Sequence, residues 1–215
     1  VESIPIKRLC RPQRGPQSKT IVCLVGVQTN QFPRAADLAL TFRRAGLTVM
    51  MGGFHISGYL ALLPEIPPEI QQLMDEGVTL VKGEVEDTWG DLLCEAVNGR
   101  LKPLYDFIGQ KPDLYDKPIP TIQKKYLRKF VDPDFGTLDC GRGCPFECSF
   151  CTIINVQGRK MRFRSSQCIA EAVRRNYHAH GISFYFFTDD NFARNKNWEA
   201  IFDALILLRE QEKIP

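Results

Sequence analysis

Gly141-Arg142-Gly143-Cys144-Pro145-Phe146-Glu147-Cys148-Ser149-Phe150-Cys151 carries three cysteines in a C-x3-C-x2-C spacing. Gly136 to Asp139 just before it reads as a short strand, so the thiols sit on a tight loop at a strand's carboxyl end. Thiolates are the protein ligands of iron–sulfur clusters, and close, unequal spacings can bring three sulfurs to three corners of one cubane. The fourth iron then stays open to a substrate or cofactor, which a four-cysteine electron carrier does not offer. Two other readings use the same residues. Cys140 with the three loop cysteines makes a tetrahedral zinc set, although the paired C-x2-C spacing usual there is missing. A four-thiolate carrier cluster runs C-x2-C-x2-C with a distant fourth ligand, which is not the pattern here. Cys140, at a strand end, reads as a small buried residue outside the ligand set. Cys10, Cys23, Cys94 and Cys168, each alone in an apolar or helical context, read as core packing.

Outward from the loop, strand and helix alternate. Ser166 to His180, closed by Gly181, reads as a helix; Ile182 to Phe187 as the next strand; Trp198 to Arg209 as a helix through Trp198, Ile201, Phe202, Leu205 and Leu208. Phe186-Phe187-Thr188-Asp189-Asp190-Asn191-Phe192 thus puts two carboxylates at the carboxyl end of a buried strand, where α/β barrels place functional groups. A helix N-cap through Asn191 or Asn195 is the structural alternative. Gly158 to Arg164 alternates basic and apolar residues, as a strand with one solvated face does. An RNA contact there has less support, since Phe163 is its one aromatic residue.

The first half repeats the alternation. Ile21 to Val27 is a β-branched run that reads as a strand buried on both faces. Ala35 to Arg44 follows as a helix with Pro33 in its first turn and Gly46 to stop it, then Leu47 to Met51 as a strand. Pro67 to Glu76, Val78 to Val81 and Thr88 to Val97 continue as helix, strand and helix. This is the pattern of a doubly wound α/β domain, whose ligands bind at loops after the carboxyl ends of the strands. Two such loops are rich in candidates: Gly52-Gly53-Phe54-His55, and Gly83-Glu84-Val85-Glu86. Their glycines let backbone approach a ligand closely.

Composition narrows the classes. At 215 residues and 44% apolar, the chain has room for two small units. Twenty-eight Lys and Arg against twenty-five Asp and Glu is too small a bias to call for a nucleic-acid or anionic-membrane partner. No apolar run approaches the roughly 20 residues that span a bilayer, and Val1-Glu2-Ser3-Ile4-Pro5 lacks a signal-peptide layout, so a cytoplasmic protein with reduced thiols is expected. The absence of an initial Met and the stop at Ile214-Pro215 read as a fragment. Residues 101–135, with five prolines and Lys124, Lys125, Arg128 and Lys129, read as a linker between units 1–100 and 136–215.

The cysteine motif, with Phe150 directly before its last cysteine, resembles the radical S-adenosylmethionine (SAM) superfamily. The resemblance implies a [4Fe–4S] cluster on Cys144, Cys148 and Cys151, whose open iron binds the amino and carboxylate groups of SAM. It implies reductive cleavage of SAM or its use beside a second cofactor, an electron donor such as flavodoxin or ferredoxin, and Phe150 beside the adenine. The family's glycine-glycine-glutamate motif is absent, and Asp189 and Asp190 jointly take its place as acceptors for the SAM amino group. Placed before such a core, residues 20 to 100 resemble the cobalamin-binding domain of cobalamin-dependent members. That implies cobalamin contacts at Gly52, Gly53, His55, Gly83 and Glu84, with His55 a contact rather than an axial ligand, since no Asp-x-His-x-x-Gly loop is present.

The expected architecture is therefore a Rossmann-like cobalamin-binding-type α/β domain followed by the first units of a (β/α) partial TIM barrel. Such a barrel needs about six strand–helix units, so specificity for a small-molecule or peptide substrate lies largely outside this chain. The implied reactions are radical methylation, with methylcobalamin as donor, or a skeletal rearrangement. Methylthiolation or related RNA modification is the enzymatic alternative, but the second cysteine set expected for it is missing. A zinc-bound interaction module is the non-enzymatic one.

Overall fold

The short β-branched runs of the first half and the cysteine-flanking segments of the second each build a small parallel sheet. The computed structural model describes residues 6–11, 19–120 and 135–215. Residues 1–5 and 12–18, and the part of the expected linker at 121–134 with its four basic residues, lie outside them. The chain divides into two units, Val1–Pro112 and Asp113–Pro215.

In the first unit β1 (Ile21–Leu24), β2 (Thr48–Gly52), β3 (Thr79–Lys82) and β4 (Leu104–Asp106) form a parallel sheet in that order. Cys23 faces Met50, Met51 faces Leu80 and Val81 faces Tyr105, so all the carboxyl ends lie along one edge. Around it are α1 (Ile6–Leu9), α2 (Phe32–Arg44), α3 (Phe54–Leu62), α4 (Pro68–Asp75) and α5 (Trp89–Asn98). Pro33 and Pro68 occupy first turns, where a missing N–H costs nothing, and Gly46, Gly77 and Gly99 stop α2, α4 and α5 in left-handed conformations. The core gathers Ala39, Phe42, Val49, Met51, Ile56, Ile70, Leu73, Val78 and Leu80. Truncating Ile70, fully buried, to Ala would cost about 2–5 kcal/mol.

Three expectations change here. β1 is half-buried throughout and stands at the sheet's edge, where one neighbour cannot cover it, rather than being buried on both faces. Among the described strands the order runs in one direction, without the reversal that a doubly wound sheet has. The sheet also continues into residues read as linker, since Leu104–Asp106 pairs with β3 as β4. Proline-flanked and only three residues long, that strand has too little periodicity to be read from sequence.

In the second unit β5 (Phe135–Leu138) pairs in parallel with β8 (Phe184–Phe187), while β6 (Gly141–Arg142) and β7 (Arg162–Phe163) form an antiparallel pair. Helices α6 (Ile153–Val156), α7 (Ser166–His180) and α8 (Trp198–Glu212) complete it. The Ser165 hydroxyl caps α7 by accepting from the Cys168 N–H at 3.1 Å, a contact worth about 1 kcal/mol, and Gly181 closes the helix. Leu138, Cys140, Ile169, Ala172, Val173, Ile201, Leu208 and Ile214 form the core. Among the described residues no helix is long and apolar enough to cross a membrane.

The basic stretch before α7 departs from its solvated reading. Only Arg162 and Phe163 are strand, and Arg164, 1% exposed, is among the largest fully buried side chains. Cys10 and Cys94 are exposed rather than core residues, whereas Cys140 is buried and the Cys168 thiol lies 3.2 Å from the Lys117 carbonyl.

Candidate functional site

The parallel register of β5 and β8 sets Leu138 beside Phe187, so the two strands end together. The chain leaving β5 becomes the cysteine loop, and the chain leaving β8 becomes Thr188-Asp189-Asp190. They are stitched directly. Cys140 N–H donates to Asp189 Oδ2 at 3.0 Å, and Thr188 N–H donates to the Leu138 carbonyl at 2.9 Å. Gly141 packs so closely that an added Cβ would lie 2.8 Å from the Arg162 carbonyl.

Past β6 the loop turns tightly. Gly143 has φ 91°, and a Cβ there would stand 2.6 Å from the Lys160 carbonyl oxygen. Its N–H donates to Gln157 Oε1 at 2.9 Å, Cys144 N–H to the Gly158 carbonyl at 3.2 Å, and Cys151 N–H to the Cys148 carbonyl at 3.0 Å. Cys144 and Cys151 are half-buried and Cys148 is exposed. Phe150 is 88% exposed, and the Arg194 guanidinium lies 5.1 Å from the Phe146 ring. Glu147 and Arg159 form an ion pair across the loop.

Asp189 is the electrostatically unusual group. Among the described residues its buried Oδ1 has no hydrogen-bond partner. Burial pushes its carboxyl up to about 6; the bond from Cys140 N–H pulls the other way, and the nearby Asp139 adds repulsion. Asp190 beside it is exposed. The asparagines take other roles: Asn195, 1% exposed, donates to the Cys140 carbonyl at 3.4 Å and accepts from Asn197 N–H at 2.9 Å, and the residue preceding α8 is Asn197.

In the first unit the loops leaving β1 to β4 meet at the sheet's carboxyl edge. Gly52-Gly53-Phe54-His55 is not an open loop: Gly53 precedes α3 and His55 lies in its first turn. Gly53, at φ 140°, is required by the chain's own backbone, since a Cβ would fall 2.1 Å from Val27 N. Gly83, at φ 99°, is likewise closed in by the Phe107 and Ile108 backbone, and its N–H donates to Ser57 Oγ at 3.0 Å. His55 is 4% exposed, stacked on Phe32 at 3.9 Å and against Tyr59 at 4.3 Å. Burial lowers its pKa, with Glu69 pulling the other way, and among the described residues neither ring nitrogen has a hydrogen-bond partner. Glu84 is half-buried at the same edge. The glycine pattern therefore reflects loop-on-loop packing, which a sequence cannot distinguish from room left for a ligand.

No family model matches the chain. Bacteriochlorophyllide d C-8(2)-methyltransferase of Chlorobaculum tepidum is 32% identical over 203 residues, covering 87% of this chain and 42% of that protein. Hopanoid C-2 methylase of Rhodopseudomonas palustris is 27% identical over 134 residues, 61% of this chain and 24% of that one. Among solved structures, the radical SAM methyltransferase TsrM from Kitasatospora setae, with cobalamin and a [4Fe–4S] cluster bound, superposes with a TM-score of 0.61. That match covers 95% of this chain and 42% of TsrM at 18% identity, a likeness of fold. The chain thus shares the fold of a radical SAM methyltransferase, and the relatives it matches in sequence are named for methyl transfer. It spans less than half the length of these relatives.

A radical SAM cluster can be tested against the residues present. Among the described residues no three His, Cys, Asp or Glu side chains gather as one metal ion would require. In a cubane each thiolate takes its own iron, so its sulfurs need not converge on one point. The zinc alternative needs Cys140 as fourth ligand, yet that thiol is fully buried in the core and burial raises its pKa far above the usual thiol range. The orphaned Asp189 Oδ1 fits an ammonium group, because a buried acceptor without a donor is costly to leave unmade. For cobalamin the edge of the sheet fits a ligand laid across the loops, but Gly53, His55 and Gly83 are committed to internal packing.

Proposed function

We propose that this chain is part of a cobalamin-dependent radical SAM methyltransferase. The observation that carries the proposal is the register of β5 and β8, which sets a C-x3-C-x2-C loop beside a carboxylate with one unpaired, buried oxygen. Cys144, Cys148 and Cys151 hold the cluster, Asp189 accepts the SAM ammonium, and the exposed ring of Phe150 flanks the adenine. Asp190 assists from the rim. When bound, the cluster supplies an electron and an open iron for SAM, and cobalamin supplies a transferable methyl group. The chain's own task is to hold three thiolates on a loop that has no slack and to present an ionised carboxylate at a fixed distance from its base. Methylation is favoured over rearrangement because relatives matched across both units are named as methyltransferases. Their named substrates, a bacteriochlorophyllide and a hopanoid, are too unlike to assign one here.

The test is anaerobic reconstitution followed by electron paramagnetic resonance of the reduced chain with and without SAM. A reduced-cluster signal that SAM perturbs, lost in Cys148→Ala, is the expected result. Stoichiometric zinc with no iron signal would overturn the reading. Titration with methylcobalamin, followed by its absorbance, tests the first unit separately.

A further inference from the structure

Arg164 is charged, 1% exposed and unused by the proposed chemistry, so what it holds matters. Its Nε donates to the Asp139 carbonyl at 2.8 Å, its Nη2 to Asp139 Oδ2 at 3.1 Å, and its Nη1 to the Lys117 carbonyl at 2.6 Å. A guanidinium serves three acceptors in three directions, which a lysine ammonium on a flexible stem does not reproduce. The same Asp139 Oδ2 receives Arg142 through Nε at 2.9 Å and Nη2 at 2.8 Å. One carboxylate oxygen is thus shared by two guanidiniums, one just inside the entry to the cysteine loop and one just past its exit.

The peptide held by this pair is that of Cys140. Arg164 N–H donates to the Cys140 carbonyl at 2.9 Å, Asn195 Nδ2 reaches the same oxygen at 3.4 Å, and Cys140 N–H donates to Asp189 Oδ2. The close packing at Gly141 and Gly143 leaves no play to absorb a shift of that peptide before Cys144.

We propose that Asp139 and Arg164 are positioning residues that clamp the Cys140 peptide and so fix the cysteine loop relative to Asp189. The clamp is a property of the fold; its consequence for SAM rests on the function proposed above.

Two measurements on the full chain separate these. In the unloaded protein, amide hydrogen exchange over residues 139–143 should quicken at least tenfold in Asp139→Asn and Arg164→Lys. Val173→Ala, a core truncation in α7, supplies a destabilised control that leaves those amides at the wild-type rate relative to its global stability. Should Arg164→Lys fail to fold, Asp139→Asn, isosteric and without the charge, decides the matter. Exchange in Asp139→Asn no faster than in the control overturns the clamp. In the reconstituted protein, both variants should load iron like the wild type, yet lose the SAM-induced change in the resonance spectrum or need about tenfold more SAM to produce it. A wild-type SAM response in both variants overturns the positioning role. A wild type with no SAM-sensitive cluster overturns instead the functional reading, leaving the exchange result to judge the clamp.

Discussion

Replacing Asp189 by Asn should stabilise the unloaded chain while abolishing its use of SAM. The folded protein raises this carboxyl from 3.8 to about 6, chiefly by burial. A carboxylate whose pKa is higher folded than unfolded binds its proton more tightly in the native state, so stability falls as pH rises between those values. The shift is roughly two pKa units, or about 3 kcal/mol at about 1.4 kcal/mol per unit, and partial solvent contact reduces this to about 1–2 kcal/mol. Asn keeps an oxygen for the Cys140 N–H, stays neutral, and exchanges an orphaned oxygen for an orphaned NH2. Above pH 6.5 the variant should therefore unfold later in urea by about 1–2 kcal/mol, and in a unit of this size each kcal/mol raises the melting midpoint by about 4–8 °C. The advantage should shrink as pH falls below 6 and vanish below 3.8. SAM affinity in the wild type should follow the opposite limb, strengthening as Asp189 ionises through about pH 6. A variant less stable than wild type at pH 8, or a stability difference that pH does not move, would refute the assignment of Asp189 as a strained carboxylate.

Three further outcomes follow from the packing. His55→Phe should leave methylcobalamin titration unchanged and alter stability by no more than about 1 kcal/mol, with a gain favoured because two unpaired buried nitrogens disappear; lost titration in a folded variant would return His55 to the ligand. Gly53→Ala should lose about 3 kcal/mol or more in urea unfolding, since φ 140° and a Cβ 2.1 Å from Val27 N cannot both be relieved without moving β1's loop. In a pulse of iodoacetamide read by peptide mass spectrometry, Cys10, Cys94 and Cys148 of the unloaded chain should be modified first and Cys140 last, because its thiol is both inaccessible and held protonated by burial.

The elements legible in the sequence were those whose signals are local. α7 was placed at Ser166 to His180 because a regular apolar spacing runs up to the stop at Gly181. The strands facing the core followed from β-branched runs bounded by turn residues. α3 was missed because Gly52, Gly53 and Gly58 read as loop punctuation, and nothing local says that the first two are demanded by backbone of β3 and of the loop after β1. β4 was missed because three residues carry no period. The partners of Arg164 lie 25 and 47 residues away, so its basic surroundings read as a solvated face.

The same distinction separates the candidate site residues by the kind of signal they were read from. Cys144, Cys148 and Cys151 were read from spacing, a covalent constraint that survives any arrangement of the rest. Asp189 was read from its place at a strand end, and the parallel register of β5 and β8 turns that place into a contact with the loop's first peptide. Gly53, Gly83 and His55 were read from residue type alone, and residue type serves packing and ligand contact equally well. What separates the two uses is whether the polar atoms and the open volume face the chain or the solvent. At Asp189 a buried oxygen waits for a donor, whereas at Gly53 and Gly83 the space is already filled by backbone. A ligand carrying an ammonium group would answer the first, whereas at the second the chain's own backbone already fills the space that a glycine opens.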